Sequence, residues 1–233
     1  MTYERALIIG TGPGVSGCFA RAFAAAGGAV HMAARGVDDL ADLAAETGGT
    51  LHTCDAASRE DIARLFAEVE TAHGAPDVVV YNPSARVPGP ITEIDGAAVE
   101  RAVQITALGA FHAAQEAAKR MVPKRHGAIL LTGATAGVKG YPRSAAFAMG
   151  KFAMRGLAQS LARELHPQGV HVGHFVIDGG VRNPARPERM DPPDNPDSML
   201  DPEAIAREYM NLLAQARSCW SWEVDIRPWV ERF

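Results

Sequence analysis

Cysteine is scarce in this chain of 233 residues, with three at Cys18, Cys54 and Cys219. The number is odd and the spacing is not that of a metal site, which gives no sign of a disulfide framework or a metal cluster. Reduced thiols, and hence a cytoplasmic protein, are expected. Long apolar runs are also missing: none reaches the ~18 residues of a membrane span. The opening Met1–Arg5 leads into the apolar Ala6–Ile9 without a basic n-region or a cleavage site. Excess positive charge is absent as well. A net charge of -4 gives no reason to expect nucleic acid or an anionic membrane as partner. There is no internal repeat and no low-complexity segment. What remains is an ordinary globular composition, 47% hydrophobic and 21% charged, at a length that suits one domain with a sizeable core.

The apolar spacing alternates between strand and helix periods. Arg5–Ile9 is a short apolar run ending in glycines. From Val15, the positions Val15, Cys18, Phe19, Ala22, Phe23 and Ala26 recur at i, i+3, i+4, i+7, i+8 and i+11, which is one face of a helix. Gly27-Gly28 ends it. Further strands are expected at Ala29–Ala34, Leu51–Cys54, Asp77–Tyr81, Ala128–Thr132, His171–Val176 and Trp222–Ile226. Helices are expected at Val37–Glu46, from the Ser58 cap to Ala72 with Asp61 completing a capping box, at Ala97–Val122, at Arg143–Leu165 and from Pro202 to Ala214. Short buried-type strands alternating with helices indicate a mostly parallel sheet of about seven strands, covered on both faces. The expected fold is a single doubly wound α/β domain of Rossmann type spanning 1–233. The Pro-rich stretch at 183–200 reads as a flap over a substrate site rather than a linker, because too little chain follows it to make a second core.

The first strand runs into Gly10-Thr-Gly12-Pro-Gly14-Val15-Ser16-Gly17. A glycine-rich turn between strand and helix lets backbone N–H groups approach a pyrophosphate at the helix N-terminus. Two frames fit. Gly12-x-Gly14-x-x-Gly17 has the spacing of the dinucleotide fingerprint; Gly10-x-x-x-Gly14-x-Ser16 places the turn directly after Ile9, and the register favours it. Gly10, Gly12, Gly14, Val15 and Ser16 are therefore candidate cofactor-binding residues. The second strand ends in Ala33-Ala34-Arg35. No carboxylate is available there for a ribose 2′-hydroxyl, whereas a guanidinium pairs with a 2′-phosphate. NADP(H) is expected over NAD(H).

Three more segments fall in step with these: Cys54-Asp55 after the third strand, Tyr81-Asn82-Pro83-Ser84-Ala85 after the fourth, and the helix Lys151–Leu165. In this order, over nearly the whole chain, they resemble the short-chain dehydrogenase/reductase family. The resemblance implies that Asp55 touches the adenine, Asn82 lines the cofactor cleft and Lys151 hydrogen-bonds the nicotinamide ribose. It places Asn183, two residues past Val181, near the carboxamide, and makes both candidate cofactor residues. It also implies a homodimer or homotetramer built on the helices at 97–122 and 143–165. The family's chemistry uses Asn, Ser, Tyr and Lys. Here those positions carry Thr106, Ala134, Phe147 and Lys151, so only the lysine remains.

A phenylalanine can neither give nor take a proton. Tyr141 is the preferred replacement acid, with Thr135 and Ser144 the other nearest hydroxyls; Lys151 itself would serve if burial lowered its pKa. No metal is expected, since His166, His171 and His174 do not form a clear ligand set. His112 is expected to pack at a subunit contact, and Trp220, Trp222 and Trp229 to form an aromatic cluster. The expected activity is that of an NADP(H)-dependent oxidoreductase acting on a small, fairly apolar carbonyl, enone or imine. The alternative is a catalytically inactive nucleotide-binding homologue serving as sensor, scaffold or hetero-oligomer subunit.

Overall fold

Seven parallel strands form one sheet: β1 (Arg5–Ile9), β2 (Ala29–Ala34), β3 (Thr50–Thr53), β4 (Val78–Tyr81), β5 (Gly127–Thr132), β6 (Val170–Ile177) and β7 (Glu223–Ile226). Their order is β3-β2-β1-β4-β5-β6-β7. The structure, a computed structural model, describes residues 3–183 and 186–231. Every strand residue from β4 through β6 is buried, as expected for a sheet with helices on both faces.

The pleat divides the core in two. Leu7, Ile9, Val79 and Tyr81 point to the side covered by α3 (Arg59–His73), α5 (Gly109–Met121) and α6 (Ala145–Leu165). Ala6, Ile8, Val78 and Val80 point to the side covered by α1 (Val15–Ala25), α2 (Ala41–Thr47) and α7 (Pro202–Leu213). The strand order reverses between β1 and β4, so the crevice beyond their C-terminal ends is the switch point of a doubly wound sheet. Among the described residues, no helix is long and apolar enough to cross a membrane.

Several elements differ from the sequence expectation. The helix expected over Ala97–Val122 is α4 (Gly96–Val103), a wide π turn at Gln104–Leu108, and then α5. Where the turn meets α5, Gly109 allows a close approach: a Cβ there would collide with the Tyr81 hydroxyl and the Ala56 carbonyl. Tyr81 Oη donates instead to the Ile105 carbonyl inside the π turn, and such turns recur at functional sites. α6 starts at Ala145 rather than Arg143, because Arg143 is left-handed with φ 62°. Only half of the expected capping box forms. Asp61 N–H donates to Ser58 Oγ at 3.0 Å, but the Asp61 carboxylate accepts from Asp55 N–H at 2.9 Å rather than returning to Ser58. The expected tryptophan cluster is dispersed: Trp220 stacks on His171 at 4.4 Å, Trp222 lies under Arg155 at 5.9 Å, and Trp229 is 79% exposed.

Among the described residues between 182 and 201 there are one 3-10 turn, Pro187–Arg189, and a bridge from Leu200 to Val181. Pro184 and Ala185, part of the expected flap, lie outside the described residues. The rest is tied internally. Arg182 pairs with Asp191 at 3.0 Å and Asp197 at 3.3 Å, and Asp191 accepts from Met199 N–H at 2.8 Å.

Candidate active site

The glycine turn is built by packing as much as by conformation. Gly10 has φ 79°, and a Cβ there would lie 2.6 Å from the Pro83 ring. A Cβ on Gly17 would lie 2.7 Å from the Gly12 carbonyl, so this glycine lets α1 close against the turn. By contrast, Cβ atoms at Gly12 and Gly14 would meet nothing within 4 Å. Those two present open backbone, and α1 has no side-chain cap at its N-terminus. Unsatisfied N–H groups facing an open cavity are what an anionic phosphate needs.

Ser16 and Asn82 hold the turn in shape. Ser16 Oγ accepts from Gly12 N–H at 3.0 Å, and Asn82 Nδ2 donates to the Gly10 carbonyl at 3.0 Å across the β1–β4 crevice.

Three adjoining cavities run along the C-terminal edge of the sheet. The first, about 430 Å³, lies beside Gly10, Arg35, Asp55 and Ile105. Arg35 is exposed there. Asp55 is held below the usual carboxylate range, first by the Ala57 N–H and then by Arg101 at 2.6 Å. The second, about 260 Å³, lies between the turn residues Gly12 to Ser16 and the segment carrying Val181, Asn183 and Arg189. The third, about 570 Å³, is the cleft proper, with Arg86, Ala134, Phe147, Lys151, Arg189 and Met199 in its wall. Together they bring Gly10, Gly12, Gly14, Val15, Ser16, Arg35, Asp55, Asn82, Lys151, Val181 and Asn183 to one continuous groove.

Tyr141 is not part of it. Residues 138–143 are exposed, and Tyr141 itself is 44% exposed with the Lys139 ammonium 5.5 Å from its ring. Thr135 is committed elsewhere: its hydroxyl donates to Asp178 Oδ1 at 2.6 Å. Ser144 is not in the cleft wall. None of these three hydroxyls lines the cleft beside Phe147.

Lys151 is the group the cleft does present. It is 2% exposed, yet it lines the cleft, and Nζ donates to the Thr132 carbonyl at 2.5 Å. Burial, and secondarily the Arg86 guanidinium, bring its pKa down to about 7. Thr106, also fully buried, accepts the Ala85 N–H at 3.1 Å and so fixes the loop after β4. On that loop Arg86 lies over the Phe147 ring, 4.1 Å from its centroid. Sequence reasoning missed Arg86 and Arg189. Gly17 stands in the first glycine frame, whereas nothing in a loop arginine's surroundings announces its reach.

A doubly wound sheet, an open glycine turn at its switch point and a buried lysine at the end of the same groove match one family over most of the chain. The profile described as short chain dehydrogenase fits residues 4–190. This chain belongs to the short-chain dehydrogenase family. Among relatives of this dehydrogenase-family chain, it is 31% identical over 188 residues to the cyclic-di-GMP-binding biofilm dispersal mediator protein of Escherichia coli, covering 80% of this chain and 76% of that one. It is 26% identical over 217 residues to short chain aldehyde dehydrogenase 1 of Euphorbia lathyris, covering 91% and 73%. A short-chain dehydrogenase from Rhodopseudomonas palustris superposes with a TM-score of 0.82 at 31% identity, over 97% of this chain and 99% of that one. A metagenomic short-chain oxidoreductase solved in complex with NADP superposes with a TM-score of 0.83 at 25% identity, over 97% of each chain.

Proposed function

We propose that this short-chain dehydrogenase homologue is an NADP(H)-dependent oxidoreductase that reduces a small carbonyl, enone or imine, with Lys151 supplying the proton that the missing tyrosine would have given. The observation that carries this reading is the state of Lys151. It is buried at the cleft wall, has a pKa near 7, and has one N–H spent on the Thr132 carbonyl. An ammonium has three donors, so two remain for a ribose hydroxyl and a substrate heteroatom. A pKa near the working pH is what a general acid needs.

The groove fits a dinucleotide. Gly12, Gly14 and the α1 N-terminus would hold the pyrophosphate, Asp55 the adenine side, and Lys151, Val181 and Asn183 the nicotinamide side. When bound, the reduced cofactor supplies a hydride. The chain's own residues orient the substrate, close the cleft and hold the proton at Lys151 Nζ. Segment 183–200 acts as the flap, since Arg189 and Met199 of that segment line the cleft. Ala134 and Phe147 take no part in proton transfer.

Arg35 sets the cofactor preference, standing exposed beside the first cavity, where its charge is felt by the Asp55 carboxylate without a close ion pair among the described residues. Arg35→Ala is expected to weaken NADPH binding about tenfold, as for loss of a charge-assisted hydrogen bond, and to leave NADH binding unchanged. Fluorescence titration of both cofactors checks this. Equal affinities in the wild type, unmoved by the substitution, would contradict it. Turnover itself is tested by NADPH oxidation over a panel of ketones, aldehydes, enones and imines.

Leu108 and Phe111 on one side, and Met149 and Phe152 on α6, are 42–55% exposed and apolar. This supports a homodimer or homotetramer closed across α5 and α6, with His112 packed near the seam. A cytoplasmic location fits the three free thiols.

A further inference from the structure

We propose that the substrate carries a carboxylate and that Arg86 binds it; this rests on the oxidoreductase reading and adds the substrate class to it. The cleft wall holds three cationic side chains, Arg86, Lys151 and Arg189, and no aspartate or glutamate. The nearest acid along the chain, Asp178, is 5% exposed and already engaged by Thr135 at 2.6 Å and Arg227 at 3.2 Å. Among the described residues no carboxylate pairs with Arg86, and its charge stands close enough to Arg189 and Lys151 for each to disfavour the other. Unpaired cations sharing a partly enclosed space are costly. An incoming anion relieves that cost, whereas the fairly apolar substrate expected from the sequence does not.

The geometry gives Arg86 a defined task. Its guanidinium carbon lies over the Phe147 ring, 4.1 Å from the centroid. A cation–π contact of this kind holds the guanidinium at the cleft wall, and its fork of N–H donors can make two parallel bonds to a carboxylate. Thr106 fixes the residue just before it through the Ala85 N–H at 3.1 Å. Two departures from the family's catalytic set, Thr106 and Phe147, thus act together in placing one arginine. Arg189 is shared, because it lines both the cavity of the glycine turn and the cleft. Arg86 lines only the cleft, which is why the carboxylate is assigned to it.

Calorimetric titration of the NADP+-saturated full chain with matched pairs, benzoate against benzamide and crotonate against crotonamide, tests this. The acids are expected to bind at least about tenfold tighter than their amides. Arg86→Gln should erase that preference and Arg86→Lys restore part of it, while NADP+ affinity, measured on each variant, reports that the cleft is folded. Acids binding no tighter than amides, or an undiminished preference in Arg86→Gln, would overturn the inference while leaving the oxidoreductase reading in place. Arg86-dependent acid binding in a chain that does not bind NADP+ would overturn that reading and keep the anion site. Absence of both would sink the two together.

Discussion

Replacing Lys151 with Met is expected to lower kcat at saturating NADPH by about 10²–10⁴-fold, the usual worth of a positioned acid, while leaving the fold in place. The asymmetry comes from what the lysine does in each role. As a structural group it contributes little: burying an ammonium is costly, and its one described bond is to the Thr132 carbonyl. Met is one heavy atom shorter but removes the desolvation cost, which offsets the hydrogen bond lost to the Thr132 carbonyl. As a chemical group it is the cleft's one titratable side chain whose pKa is brought to about 7. The pH profile separates the roles. For reduction, the protonated lysine is the active form, so wild-type kcat/KM falls as pH rises through about 7. In Lys151→Met the residual rate loses that limb. In Lys151→Arg the limb also disappears, since a guanidinium does not titrate there, even though positive charge and ribose binding persist. A wild-type profile without a group near 7, or an unchanged limb in the Met variant, contradicts the assignment.

The second large effect is loss of stability in mild acid. His31, His171 and His174 are at most 2% exposed, and each has one ring nitrogen without a hydrogen-bond partner among the described residues. Burial is the first cause bringing each pKa down to about 4 from 6.5. His31 is further opposed by His73 and His52, while the hydrogen bonds of His171 to Ser221 and of His174 to Glu223 pull the other way without winning. All three are therefore neutral in the folded chain at neutral pH. The unfolded chain takes up protons first as pH falls, so stability is full above about 6.5 and is lost progressively down to about 4. At pH 5 the loss is about 2 kcal/mol for each histidine. The sum is comparable to the whole stability of a domain, about 5–15 kcal/mol. Thermal unfolding at pH 7 and pH 5 should differ by roughly 10–20 °C, and His171→Gln should reduce the difference by about a third. A melting temperature flat from pH 7 to 5 would contradict the buried, neutral state of these side chains.

Much of this architecture was legible because short apolar runs have few alternatives. β1 and β2 fall where Arg5–Ile9 and Ala29–Ala34 were read, and the glycine turn, Arg35, Asp55, Asn82 and Lys151 share one groove. What escaped the sequence depends on contacts between distant segments. The π turn at Gln104–Leu108 carries the Ile105 carbonyl that Tyr81 reaches from β4, a contact that no local periodicity encodes. Asp61 looked like a cap and instead serves Asp55. Tyr141 was near the catalytic helix in sequence, but the exposed 138–143 segment carries it away from the cleft. Arg86 went unremarked because its importance comes from the ring it covers, sixty-one positions further along the chain.

The most direct test of the account is NADPH oxidation by the wild type over the mixed panel, beside the Ala134→Ser/Phe147→Tyr double variant. The account predicts that the wild type turns over at least one class, most readily an acid-bearing member, with a kcat/KM that falls above pH 7. A silent wild type beside a double variant that binds NADPH and reduces carbonyls would contradict it, and would leave a cofactor-binding member of the family without catalysis of its own.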